Sequence, residues 1–81
     1  MGIEYKIKFS VPDNYDPSSF LSRLPSPLER SGEHEIYNYA VEADGFYFVD
    51  HLVNAQVASL AFRRFVDEAL RLSAVVQIME P

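Results

Sequence analysis

Few side chains in this sequence are suited to acid–base or metal chemistry: His34, flanked by Glu33 and Glu35, and His51, preceded by Asp50. A histidine with a carboxylate partner is the minimum for general acid–base work. A second histidine brought alongside would begin a metal site. His51 ends an aromatic run and is the residue expected to act as the base if the chain is an enzyme. The plainer reading is stronger. There is no His-Glu-x-x-His pattern and no cysteine, and no third ligand recurs at a fixed spacing. Glu33-His34-Glu35 reads as the charged start of a strand. No catalytic residue, no metal and no cofactor are therefore expected, and a non-enzymatic role is favoured over a small α+β-barrel enzyme that uses His51.

Composition narrows the rest. The 81 residues allow one domain, 1–81, with a modest core. A hydrophobic fraction of 48% and an aromatic fraction of 14% exclude a disordered tail. A small domain that folds without disulfides suits a reducing compartment, so a cytoplasmic location is expected. No basic leader and no long apolar stretch stand at the start, so neither a signal peptide nor a membrane span is expected. The net charge of −5 disfavours nucleic acid and anionic membrane surfaces as partners. Gly2, Gly32 and Gly45 lie too far apart for a phosphate-cradling loop.

The elements that position these residues follow from periodicity. Ile3, Tyr5, Ile7 and Phe9 alternate with Glu4, Lys6 and Lys8, the pattern of a half-buried strand. Asp16-Pro17 opens a first helix with Phe20, Leu21 and Leu24 on its apolar side, and Pro25 ends it. Ser26-Pro27-Leu28-Glu29 reads equally as a capped extra turn or a plain connector. Asn54 caps a long second helix at about 55–72. Ala58, Ala61, Phe62, Phe65, Val66, Ala69 and Leu72 form its apolar stripe. Gln56, Arg63, Arg64, Asp67, Glu68 and Arg71 form the opposite, solvated side. Arg63–Asp67, Arg64–Glu68 and Asp67–Arg71 are spaced for four-apart ion pairs. The segment 74–80 supplies a last strand. Strand, helix, strand, strand, helix, strand is the order of the ferredoxin-like split β-α-β arrangement, a four-stranded antiparallel sheet with two helices on one face. Right-handed crossovers place strands one and three in its centre.

The segment between Glu35 and His51 is apolar on both sides, and it turns at Glu42-Ala43-Asp44-Gly45. A type I turn with a left-handed Gly45 and a bulge sets Glu42 opposite Phe46. Ile36, Ala40, Phe46, Phe48 and Leu52 then face the helices. Tyr37, Tyr39, Val41, Tyr47, Val49 and His51 face away, beside Lys6 and Lys8. A plain two-residue turn shifts the pairing by one and swaps the partners. The bulged register is preferred because it sorts phenylalanine from tyrosine. It leaves an open tyrosine-rich patch, of a kind monomers seldom expose without a use. The expected function is contact through Lys6, Lys8, Tyr37, Tyr39, Val41, Tyr47, Val49 and His51, by homodimerisation or with another protein. Single-stranded nucleic acid or a small ligand on the same rings is the lesser alternative; for nucleic acid, the RNA-recognition aromatic motif is absent.

Overall fold

Alternation of apolar and charged residues makes β1 (Ile3–Lys8) a strand, one of the two at the centre of the sheet. The computed structural model describes residues 2–29, 32 and 34–81. After β1 come α1 (Ser18–Leu21), β2 (Tyr37–Glu42), β3 (Gly45–Asp50), α2 (Ala55–Leu72) and β4 (Gln77–Met79). The result is a small α+β domain with a four-stranded antiparallel sheet in the order β2-β3-β1-β4 and two helices. β1 and β3 are central, as the chain order predicts.

Both helices lie on one face of the sheet. Phe20 of α1 stacks on Phe46 of β3, and Phe65 of α2 meets the same ring edge-on. α2 brings small residues to the sheet at Ala58, Ala61 and Ala69, all buried. The helix backbone therefore sits close, and aromatic rings from the strands fill the layer around Phe65. Asn54 accepts a hydrogen bond from the Val57 N–H at 3.2 Å and satisfies a free donor of the first turn.

α1 is shorter than its apolar pattern implies. Beyond Leu21 the chain tightens: Arg23 N–H donates to Phe20 and Leu24 N–H to Leu21, three residues back. Pro25 pushes Leu24 out of helical geometry, so the helix cannot run on. Asp16 still serves the entry, accepting from the Ser18 N–H at 3.0 Å. Ser26-Pro27-Leu28-Glu29 starts no helix. It is a connector in which Leu28 forms an isolated bridge to Glu35. Glu33, expected at the start of a strand, lies outside the described residues.

The hairpin departs from the expected register. Glu42 pairs with Gly45, not with Phe46, across the two-residue turn Ala43-Asp44. Gly45 has φ +150°, and a Cβ there would lie 2.0 Å from the Ile7 carbonyl oxygen. The glycine is needed for the close approach of β1, which the turn signal alone did not reveal. Slipping by one residue exchanges the faces of β2. Tyr37, Tyr39 and Val41 now share the helix side with Phe46 and Phe48, and Ala40 turns away. Ring contacts sustain this choice: Tyr37 stacks on Phe48 at 5.4 Å, and Tyr39 meets Phe65 at 5.3 Å. The Tyr37 hydroxyl, fully buried, donates to the Pro25 carbonyl, and burial pushes its pKa up to about 12. Leu52, expected in the core, is 56% exposed.

Candidate functional site

The sheet face opposite the helices is covered by no element of the described residues. Three cross-strand rows run over it. Asn38, Val49 and Glu4 form the first; Ala40, Tyr47, Lys6 and Met79 the second; Glu42, Gly45, Lys8 and Gln77 the third. Its centre is apolar, with Ala40, Tyr47 and Val49 half-buried, and its margin is charged.

The polar groups of this face are held flat by one another. The Lys6 ammonium bridges Glu42 and Asp44 across the strands. Burial works against its charge, but hydrogen bonds to Asp44 and Glu42 outweigh that, and its pKa lies above the usual value. The Lys6 hydrogen bond in turn holds the Asp44 carboxyl below its ordinary range. The Tyr47 hydroxyl donates to Glu4, and that bond, aided by desolvation, raises the phenol's pKa.

The eight residues expected to share one patch are therefore divided. Lys6, Lys8, Tyr47 and Val49 lie together on the uncovered face. Tyr37, Tyr39 and Val41 lie on the helix side, where Tyr37 is fully buried while Tyr39 and Val41 remain 38% and 39% exposed at the edge. His51 follows β3 and continues the uncovered face's alternation. Its Nε2 lies 3.1 Å from the Asn38 amide, and its N–H donates to Ile36. Tyr37 pairs with Asp50 and not, as the bulged register would have it, with His51. Asp50 accepts from the Leu52 N–H at 2.8 Å. No carboxylate among the described residues is hydrogen-bonded to His51, so the acid–base pair read from Asp50-His51 is not assembled. Among the described residues no group of three His, Asp or Glu is gathered that could hold a metal ion.

A second polar cluster lies on the helix side of the molecule. Glu68, expected on the exposed side of α2, is buried at 5% exposure. It accepts two hydrogen bonds from Arg71, at 2.8 and 3.0 Å, and a third from the Tyr15 hydroxyl at 2.5 Å. A signal for this was present. Ala61, Phe65, Glu68 and Leu72 are spaced four, three and four apart, the stepping of a buried helix stripe. The expected Arg63–Asp67 pair forms, at 3.1 Å, but Glu68 is taken by Arg71 and not by Arg64.

Arg71's hydrogen bonds hold the Glu68 carboxyl below its ordinary 4.5, against the pull of burial, with help from Tyr15 and from the charges of Arg71 and Arg23. Burial and the bond to Glu68 lift the Tyr15 phenol well above its usual value. The stabilisation from Glu68 is fully present above the unfolded carboxyl's pKa and is lost as pH falls through the lower folded value. Glu68→Gln is expected to cost about 1–3 kcal/mol at pH 7, the penalty for disturbing a buried hydrogen-bonded group. The gap between variant and wild type narrows as pH falls below the unfolded carboxyl's range towards the lower folded value, where the wild type loses the same charge. Urea midpoints at pH 7 and pH 3 measure both; an equal gap at the two values would show that the carboxylate charge contributes nothing.

Fold and site together define a two-layer α+β domain with one sheet face left bare. Comparison with protein-family models, with curated proteins and with solved structures finds no match. No helix among the described residues is long and apolar enough to cross a membrane.

Proposed function

We propose that the chain is a non-enzymatic, cytoplasmic interaction domain of the ferredoxin-like, α-β plait type, and that it acts through its uncovered sheet face by pairing with a second copy of itself. The β-α-β-β-α-β order and the sheet order β2-β3-β1-β4 support the fold reading. The observation that carries the function is the bare face itself, with Ala40, Tyr47, Val49 and Met79 framed by charges of both signs. Tyrosine and methionine are favoured at the cores of protein interfaces.

The charges favour a second copy over an unrelated partner. Glu4 and Lys8 stand near opposite ends of β1. A two-fold axis running across the strands lays β1 of one copy antiparallel over β1 of the other. Glu4 of each copy then falls over Lys8 of its mate, with the Tyr47–Lys6 row at the centre. A nucleic-acid backbone finds little here, because Lys6 is already committed to Glu42 and Asp44.

Size sets the strength. Three strands of six residues and the three-residue β4, about 4.8 Å apart with about 3.4 Å per residue, give a face of roughly 340 Å² per copy. The total of roughly 700 Å² is below the ~1,200 Å² of standard specific interfaces, so the dimer is weak and concentration-dependent. Light scattering after gel filtration, over a hundredfold dilution, is expected to show a mass that rises with concentration. Tyr47→Glu and Lys8→Glu are expected to hold the chain monomeric throughout. A wild type that is monomeric at every concentration, or association untouched by both variants, would rule out the sheet-face pairing.

A further inference from the structure

We propose that the cleft between α1 and α2 binds a small phosphoryl-bearing anion, free phosphate or its monoester, through Arg23, Arg64 and Arg71. The cleft lies on the helix layer, away from the bare sheet face, and does not depend on the pairing proposed above. Its volume is about 220 Å³, and Phe20, Arg23, Arg64, Asp67, Glu68 and Arg71 line it.

The argument rests on where the charges go. The chain carries 7 basic against 12 acidic residues, yet three arginines converge on this one cleft. Its two acids are both engaged: Glu68 by Arg71, and Asp67 by Arg63, which is outside the lining. Arg64 sits four residues before Glu68, well placed to pair with it, and does not. It has no ion-pair partner among the described residues. Among the described residues Arg23 donates only to the Ser19 carbonyl, at 3.2 Å. Arg23 lends some of its charge to Glu68, but neither Arg23 nor Arg64 forms an ion pair among the described residues, so two positive charges are left facing one cavity. A phosphoryl group carries close to two negative charges at neutral pH, whereas a single carboxylate would leave one guanidinium unmatched.

The third arginine is preorganised. Two hydrogen bonds to Glu68, itself fixed by Tyr15, hold the Arg71 guanidinium in one orientation at the cleft wall. A guanidinium held this way loses little freedom when a ligand arrives. Its Nε–Nη2 edge is taken by Glu68, and the remaining Nη1–Nη2 edge has the spacing of phosphate oxygens. Phe20, 5% exposed, forms an apolar wall that keeps bulk water from one side of the anion.

The test uses the full chain in phosphate-free buffer at constant ionic strength. Inorganic phosphate and glycerol 3-phosphate are titrated separately while the arginine side-chain N–H and backbone amide resonances are followed by NMR. Saturable shifts confined to residues lining the cleft are expected with either probe. Arg23→Gln and Arg64→Gln, at exposed positions outside the Glu68 hydrogen bonds, are each expected to weaken binding about tenfold, the loss of one charge-assisted hydrogen bond. Tighter saturation by glycerol 3-phosphate identifies a monoester as the ligand, and tighter saturation by inorganic phosphate identifies the free ion. Shifts that grow linearly with either probe, or that saturate equally in wild type and both variants, overturn the proposal.

Discussion

Gly45→Ala is expected to destabilise the domain by more than about 3 kcal/mol, against a total of roughly 4–12 kcal/mol for a chain of this size. The reason is backbone contact, not turn chemistry. A Cβ at this position would lie 2.0 Å from the Ile7 carbonyl oxygen and 3.0 Å from Lys8 Cα. Both atoms belong to the backbone of the central strand, so no side chain can swing aside. Relief requires β1 and β3 to part by more than an ångström. The pairs Ile7↔Phe46 and Lys8↔Gly45, and the bond from Phe9 N–H to Asp44 at 3.1 Å, would then be lost or stretched. The φ of +150° adds strain for any residue with a side chain. Denaturant unfolding reads the effect as a lower midpoint at unchanged slope. A loss below 1 kcal/mol would mean that the two central strands do not press together at this point.

The second large effect belongs to Phe65→Ala. Phe65 is fully buried, and its ring centroid lies 5.0 Å from Phe20, 5.1 Å from Phe46, 5.3 Å from Tyr39 and 5.6 Å from Phe48. It therefore joins both helices and two strands. Truncation removes the transfer energy of the ring and opens a cavity between rigid aromatic walls, at about 3–5 kcal/mol. Of the neighbouring α2 positions that meet the sheet, Ala58, Ala61 and Ala69 cannot expand to fill the gap, and Phe62 is already engaged with Tyr5 and Phe48. With about 4–8 °C lost per kcal/mol in a domain of this length, the melting temperature should fall by at least about 12 °C. Phe65→Leu, nearer in volume, should lose less than half of that. If alanine and leucine cost the same, the aromatic contacts of Phe65 do not hold α1 to the sheet.

These two positions also mark where sequence reading succeeded and where it stopped. Phe65 was legible because α2 is long and strongly periodic. Its stripe, its Asn54 cap and its length all follow from local rules that need no knowledge of the rest of the chain. The alternation of β1, and hence the order of elements and the central place of β1 and β3, are legible for the same reason. Gly45 was visible as a turn residue, but its contact with Ile7 links positions 38 apart in the chain, and no local pattern records it.

That single contact had wide consequences, because it accompanies the register that decides which side of β2 faces the helices. Tyrosine suits either side, since its ring can be buried while its hydroxyl finds water or a carbonyl. Tyr37 and Tyr39 thus carried no local preference, and the Tyr37–Phe48 and Tyr39–Phe65 contacts settled their side. Glu68 went the same way. On α2 alone it belongs to the charged side; packed against the loop that carries Tyr15, it becomes a buried acceptor with three donors. By itself the sequence determined the elements, their order and the apolar stripe of the long helix, because these rest on periodicity and capping within a few residues. The strand register, the burial of Glu68 and the convergence of Arg23, Arg64 and Arg71 were decided only by the tertiary structure, because each depends on which distant backbone and side chains come into contact.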